Sequence, residues 1–164
     1  MKQYSKLLKQ QESHHAPIVL RKHGLICKQV SFGSGPAPLY LAKPNWTNRF
    51  DQERDTTIGI FCSIWVSPAL LGQKQFAYNI HSKAIRTLPG YKLTSQKFAS
   101  DFRSLVKTDV SKWPGIRLDY GPTTLLEGRE VCELNSFAEK IEERMHGFVD
   151  IHLHIDNLLE ASLL

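Results

Sequence analysis

The chain has 164 residues, of which 41% are hydrophobic and 23% are charged. This composition is typical of globular proteins, and the length suits a single domain, 1–164, with one core. No apolar run is long enough to form a predicted membrane-spanning helix, which needs about 20 residues. The N-terminal segment up to His15 also lacks the hydrophobic stretch of a secretory signal.

The charges are unevenly distributed along the chain. Residues 1–117 contain 18 Lys and Arg against 6 Asp and Glu, and residues 118–164 contain 3 against 10. The front part therefore has a net charge of +12 and the rear part a net charge of −7. Such asymmetry indicates a polyanionic partner, or a contact between the basic and the acidic part.

The three cysteines, Cys27, Cys62 and Cys132, are widely spaced and form no Cys-x-x-Cys pair. Each lies in an apolar run, which is typical of a free buried thiol in a reducing compartment. The sequence therefore predicts a cytoplasmic protein.

The segment 1–66 predicts one helix and three strands. Tyr4, Leu7 and Leu8 suit a short amphipathic helix. The runs 25–32 and 39–41 flank Gly33-Ser34-Gly35-Pro36, which predicts a hairpin turn rather than a phosphate-binding loop, because the following Lys-Ser/Thr is absent. The run 58–66 is apolar on both faces, as expected for a central strand.

The next part of the chain predicts further strands and a helix. Residues 76–81 alternate as the second arm of a hairpin with 58–66, although a helix over 76–84 fits nearly as well. Thr94 or Ser95 can cap a helix that ends before Trp113-Pro114-Gly115. Strands are predicted over 116–120 and 129–134.

A long C-terminal helix is predicted from periodicity. Ser136-Phe137-Ala138-Glu139 has the form of a capping box, and apolar residues recur at steps of 3 and 4 from Ile141 to Leu163. These features predict about 27 helical residues, roughly 40 Å long. The fold class is therefore α+β: a mostly antiparallel sheet of five or six strands with helices on one side and a long C-terminal helix.

The apolar stripe of this helix is broader than one flank of a small sheet needs. A homodimer through the helix would bury the excess. Because His152 lies in the stripe, a buried interface would favour its neutral form, and acidification through a pKa of about 6.5 would loosen the dimer.

The segment around Asp150, His152, His154 and Asp156 resembles the Asp-x-His-x-His strand of metal-dependent amidohydrolases. That resemblance implies a metal held on one face of a strand. Those enzymes need a (β/α)₈ barrel of ~200 residues or more, and only eight residues follow Asp156. Helical periodicity also spans the whole of 141–163, so we expect a helix and no metal.

Asp119 and Glu127-Gly128-Arg129 resemble the Asp…Glu-x-Lys signature of restriction-type nucleases. The resemblance implies a Mg²⁺ ion held by Asp119 and Glu127. Arg129 stands in the lysine position and cannot act as a base, because arginine stays protonated in proteins. A metal-dependent nuclease or phosphoryl-processing enzyme is therefore an alternative function; otherwise no cofactor is expected.

A Cys62–His81 catalytic pair is the other candidate for chemistry. If Val66 pairs with Phe76 in the hairpin, Cys62 faces Ile80 and His81 faces Phe61. Cys62 and His81 then lie on opposite faces of the sheet, which argues against a pair.

The segment 83–117 carries eight cations and only two acids, a net charge of +6. The cations are Lys83, Arg86, Lys92, Lys97, Arg103, Lys107, Lys112 and Arg117. Tyr91 and Trp113 lie beside Pro-Gly turns, where they could stack on bases. The leading hypothesis is a nucleic-acid-binding module or subunit that uses this surface, with no membrane partner.

Overall fold

We analysed a computed structural model of the chain, which describes residues 2–14, 16–29, 38–48 and 58–164. The helices are α1 (Lys2–His14), α2 (Ala16–Lys22), α3 (Pro68–Gly72), α4 (Ser95–Val106) and α5 (Phe137–Glu160). The strands are β1 (Ile26–Gln29), β2 (Leu39–Ala42), β3 (Gly59–Trp65), β4 (Gln75–Lys83) and β5 (Thr124–Val131). Short 3₁₀ turns at Ile85–Thr87 and Leu134–Ser136 precede α4 and α5.

The five strands form one antiparallel sheet in the order β1-β2-β3-β4-β5. The predicted pairing of β3 with β4 is confirmed, with Cys62 opposite Ile80 and Phe61 opposite His81. The strand interpretation of 76–81 is thus correct and the helical one is wrong. β1 and β2 also pair as predicted, while the predicted turn at 33–36 lies outside the described residues.

The predicted strand over 116–120 is wrong. Only Arg117 makes a β-bridge there, with Glu127. Beyond that bridge the chain turns, and the carbonyls of Tyr120 and Gly121 accept hydrogen bonds from Arg103 at 2.8 and 2.9 Å. The last strand begins at Thr124, ahead of its predicted start at 129, so Glu127 and Arg129 both belong to β5.

The long helix α5 is confirmed, at 24 residues rather than about 27. The capping box is wrong, because Ser136 ends a 3₁₀ turn and its hydroxyl donates to the Glu133 carbonyl at 3.3 Å. Its side chain therefore caps no N–H of α5.

One face of the sheet, which we call the first face, holds the core. Phe76 and Tyr78 alternate with outward-facing neighbours on β4 and contact Phe137 and Phe148 of α5. Tyr4 of α1 packs edge-on against Phe137, with ring centroids 4.8 Å apart. The first face is therefore closed by α1 and α5.

A buried ion pair crosses this core. Arg144 of α5 donates to Glu130 of β5 at 3.2 Å, and the two side chains are 7% and 5% exposed. The Arg144 guanidinium lies 4.4 Å from the centre of the Tyr78 ring and 4.5 Å from that of Trp113. Gly128 leaves the space that the Tyr78 ring occupies, since a Cβ there would lie 2.1 Å from the Tyr78 hydroxyl oxygen.

We expect Gly128→Ala to destabilise the protein by about 1–3 kcal/mol, because the added methyl group forces the Tyr78 ring away from Arg144. Urea unfolding measures this change. Gly72→Ala is the control, because a Cβ at Gly72 meets no atom within 4 Å and alanine favours a helix. Equal stability of Gly128→Ala and wild type would contradict this packing.

Candidate binding site on the second face of the sheet

The predicted basic surface is divided among several parts of the fold. Lys92 and Lys97 line a cleft between the start of α4 and the end of α5. Lys107 and Lys112 follow the other end of α4, which is about 18 Å away along twelve residues. Lys83 ends β4, and Arg86 lies in the 3₁₀ turn after it. The structure therefore does not gather these cations into one patch.

Two of the predicted contact residues have structural roles. Arg103 donates to four carbonyls, those of Tyr120 and Gly121 in the turn before β5 and those of Thr124 and Leu125 at the start of β5. Burial lowers the pKa of Arg103. Trp113 packs against Phe148 and Arg144 in the core. We therefore leave Arg103 and Trp113 out of the candidate site.

Two further predicted residues are engaged within the chain. Lys97 forms an ion pair with Asp101 one helical turn away, at 2.6 Å. Tyr91 is half-buried and accepts a hydrogen bond from Asn45 at 3.4 Å. These contacts make both residues weaker candidates for phosphate or base contacts than the cations at strand ends.

The histidine and aspartate motif of α5 is helical, as expected, and its side chains point to different partners. Asp156 accepts from Trp46 at 2.8 Å and pairs with Lys43. His154 contacts Asp109 at 2.9 Å, and His152 is buried against His23. Among the residues that the structure describes, no group of three His, Cys, Asp or Glu side chains could hold a metal ion.

The register separates Cys62 from His81, as expected from the sequence. Cys62 pairs with Ile80 across the two strands, and His81 pairs with Phe61. The Cys62 and His81 side chains therefore lie on different faces of the sheet. Burial raises the pKa of the Cys62 thiol, which keeps it protonated. Cys62 is therefore part of the core and is not a nucleophile for His81 to activate.

The apolar stripe of α5 is buried within the chain. Ile141, Phe148, Ile155 and Leu159 are each at most 1% exposed, and His152 is 5% exposed. The surface that the homodimer prediction required is thus covered by the chain itself. Leu153 and Leu163 remain exposed near the end of the helix.

Asp119 and Glu127 lie close together, but Asp119 is engaged by a cation. Arg117 donates to both carboxylate oxygens of Asp119, at 3.0 and 2.9 Å. This guanidinium holds the pKa of Asp119 below its usual range. The Tyr120 hydroxyl donates to Glu127 at 3.3 Å. Asp119 thus contacts a cation and Glu127 a phenol, and a metal ion held by both carboxylates would compete with these contacts.

A row of polar side chains crosses the face of the sheet opposite the core, the second face. The register places Tyr40, Ser63, Asn79 and Glu127 side by side on β2, β3, β4 and β5. Directly opposed residues in a sheet project to the same side. The four side chains therefore form one continuous line across the strands.

This row forms the floor of an open pocket of about 370 Å³. Besides Tyr40, Ser63, Asn79 and Glu127, the pocket is lined by Pro38, Trp65, Val66 and His81. Trp65 and His81 lie two positions along their strands from Ser63 and Asn79, so they flank the row on its two sides. The pocket combines aromatic walls with a polar floor.

The floor contains a buried amide with spare hydrogen-bonding capacity. Asn79 is 3% exposed, and its Oδ1 accepts a hydrogen bond from the Ser63 hydroxyl. Within the described part of the chain, its Nδ2 has no partner. Among the described residues the buried side-chain polar atom without a partner is Nε of Arg144, so Nδ2 of Asn79 is in contact with solvent, where it can donate to a ligand.

Ring packing fixes the walls of the pocket. Phe61 packs between Tyr40 and His81, with ring centroids 4.9 and 5.4 Å away. Nδ1 of His81 lies 3.4 Å from both the Thr123 carbonyl oxygen and the Thr124 hydroxyl oxygen, which hold the ring at the side of the pocket. Burial lowers the pKa of His81, which keeps the ring neutral.

Three cations border the pocket. Arg129 lies two positions from Glu127 on β5, and Lys83 lies two positions from His81 on β4, so both belong to the second face. Arg117 is bridged to Glu127 at the edge of the sheet and stacks on Tyr120, 4.8 Å from its ring centre. Lys83 and Arg129 make no ion pair within the described ranges.

Several residues at the rim of this pocket were predicted from the sequence, but most residues of its floor were not. Lys83 and Arg117 were predicted for nucleic-acid binding, Glu127 and Arg129 for the nuclease alternative, and His81 was weighed with Cys62. Asn79 could have been found, because the predicted β3–β4 register already placed it beside Ser63. Tyr40 and Trp65 carried no signal of their own in the sequence.

Comparison of the chain with protein-family models, curated proteins and solved structures gives no match. None of the described helices is long and apolar enough to cross a membrane. The function must therefore be argued from the geometry of the pocket.

We expect His81 to make the stability depend on pH. Its pKa is lower in the folded than in the unfolded chain, so its contribution is complete above about pH 6.5 and is lost as the pH falls below that value. Urea unfolding at about pH 7.5 and pH 5.5 should show a smaller loss for His81→Gln than for wild type. His146→Gln, at an exposed site, should behave like wild type; an unchanged loss in His81→Gln would contradict the assignment.

We expect no magnesium-dependent cleavage of DNA or RNA, because a metal ion would have to displace Arg117 from Asp119. Labelled single-stranded and duplex substrates with Mg²⁺ or Mn²⁺ test this point. Cleavage that disappears in both Asp119→Asn and Glu127→Gln would instead support the nuclease alternative.

Proposed function

We propose that the protein binds single-stranded nucleic acid across the second face of its sheet. The observation that carries this proposal is the pocket itself: it has aromatic walls and an Asn79 amide whose Nδ2 has no partner among the described residues, and it is bordered by Lys83 and Arg129. Each of these features has a counterpart in the chemistry of an unstacked nucleotide, as the following paragraphs describe.

The aromatic side chains suit an unstacked base. Trp65 is partly exposed beside the polar row, and the ring of Tyr40 is held in place by Phe61. Bases stack on such rings, and stacking is worth about 1–3 kcal/mol per base. Duplex bases are already stacked and cannot enter a pocket of this kind, which favours single strands.

The cations suit the phosphates that flank such a base. Lys83 and Arg129 lie on the same face as the pocket, on β4 and β5, so a strand that places a base in the pocket passes between them. Lys107 and Lys112, in contrast, follow α4, which packs against α5. The charge asymmetry of the sequence thus supports a nucleic-acid partner, as the sequence predicted. The proposed contact surface, however, is smaller than the whole segment 83–117.

The two other hypotheses are less well supported by the geometry. Nuclease activity would need Asp119 free of Arg117, and a dimer through α5 would need an apolar stripe that the chain leaves exposed. Sedimentation of the protein at micromolar concentration tests the dimer directly, and a concentration-dependent mass that Leu153→Asp abolishes would revive it.

We expect affinity for single-stranded oligonucleotides to fall linearly with the logarithm of salt concentration, with a slope of about 0.7 per phosphate contacted. The double variant Lys83→Ala/Arg129→Ala should bind more weakly and show a slope reduced by about 1.4, because two phosphate contacts are lost. Fluorescence anisotropy at several salt concentrations measures both quantities.

The matched control is Lys107→Ala/Lys112→Ala, which also removes two exposed charges. We expect it to bind single-stranded oligonucleotides with the affinity of wild type, apart from the effect of the lower overall charge. If this control weakens binding as much as the first variant, the contact surface is the broader basic region and not the second face. If no oligonucleotide binds at low salt, the proposal fails.

A further inference from the structure

The two polar residues at the centre of the pocket offer opposite hydrogen-bonding groups. Asn79 and Glu127 are directly opposed on β4 and β5, which places their Cβ atoms about 4.5–5.5 Å apart. One supplies an amide donor and the other a carboxylate acceptor. A ligand that contacts both must present an acceptor next to one or more donors.

The orientation of the Asn79 amide is fixed by its neighbour. Ser63 donates to Oδ1, which turns Nδ2 away from Ser63 and leaves its N–H groups for a ligand. An amide held in this way donates to a ligand oxygen and does not accept from a ligand N–H at the same position.

The carboxylate of Glu127 has capacity for two further donors. In the described part of the chain it accepts one side-chain hydrogen bond, from the Tyr120 hydroxyl to Oε1, whereas an ionised carboxylate offers about four acceptor positions. Glu127 is half-buried in the pocket wall. A pair of adjacent N–H groups on a ligand can therefore bind its two oxygens together.

We infer that the pocket selects guanine, with Glu127 accepting from N1–H and the N2 amino group and Asn79 donating to O6. This inference rests on the proposed binding of single-stranded nucleic acid and adds its base preference. Guanine alone among the common bases has two adjacent donors beside an acceptor on its Watson–Crick edge. Adenine and cytosine present one donor group next to a ring acceptor, and uracil or thymine presents one N–H between two acceptors.

A base other than guanine binds less tightly because it leaves hydrogen-bonding groups of the pocket unpaired. Adenine would place a ring nitrogen acceptor where Glu127 needs a second donor, and a carboxylate facing an acceptor is repelled. A site built from buried hydrogen-bonding groups discriminates more strongly than one built from apolar contacts. The pocket volume of about 370 Å³ leaves room for a purine beside Trp65.

The test uses seven-nucleotide oligomers of thymidine that differ only at the central position, which is guanine, hypoxanthine, adenine or cytosine. We expect guanine to bind about tenfold more tightly than adenine or cytosine, the size of one good bidentate contact. Hypoxanthine, which lacks the N2 amino group, should lie between them. The same series in RNA, with uridine flanks, shows whether the sugar matters.

Glu127→Gln should lower the affinity for the guanine oligomer to about that for the adenine oligomer, because the amide replaces a double acceptor by one acceptor and one donor. Asn79→Asp should also remove the preference for guanine, by placing a carboxylate against O6. Glu143→Gln, an equal change of charge on the exposed side of α5, should keep it. Thermal unfolding of each variant shows whether the fold is retained, and Glu127→Gln decides the question if Asn79→Asp fails to fold.

The outcomes separate the two proposals. Tight binding with equal affinity for all four oligomers, or a guanine preference that survives Glu127→Gln, overturns the guanine assignment and leaves the proposed function standing. A lack of binding by every oligomer overturns the proposed function, and the guanine assignment with it.

Discussion

The guanidinium of Arg144 joins four parts of the molecule at one point. It belongs to α5, pairs with Glu130 on β5, and contacts the rings of Tyr78 on β4 and Trp113 in the loop after α4. Removing one partner of a buried ion pair costs about 3–5 kcal/mol, because the other charge stays buried. The closure of the first face therefore depends on this contact, and the missing side chain of Gly128 admits the Tyr78 ring beneath it.

The second face of the sheet differs from the first in how its polar side chains are paired. The core side pairs its charges internally, with Glu130 also 3.6 Å from Lys140. On the opposite side, Nδ2 of Asn79 and part of the Glu127 carboxylate have no side-chain partner among the described residues and can bind a ligand. The two faces of the sheet therefore differ: a buried ion pair lies on one face, and a row of polar side chains crosses the other.

The hydrophobic periodicity and the strand register made much of the fold predictable from the sequence. Contacts between segments that are far apart in the sequence were not predictable in this way. The alternation of 58–66 and 76–81 fixed the β3–β4 pairing, and the steps of 3 and 4 fixed α5. The failures are contacts between distant segments: Arg103 reaches the turn before β5, and Trp113 enters the core beside Arg144. The site was found only in part for the same reason, since Tyr40 joins Asn79 and Glu127 through pairings between separate strands.

The order of the strands affects how the chain is made as well as how it folds. Every strand pairs with its neighbour in sequence, so on a ribosome the sheet can assemble progressively, with mostly short-range contacts. Glu130 is then synthesised fourteen residues before Arg144. During that interval the nascent sheet has an unpaired carboxylate and uncovered aromatic rings on its inner face. Packing of α5 onto the sheet therefore pairs this carboxylate and covers these rings.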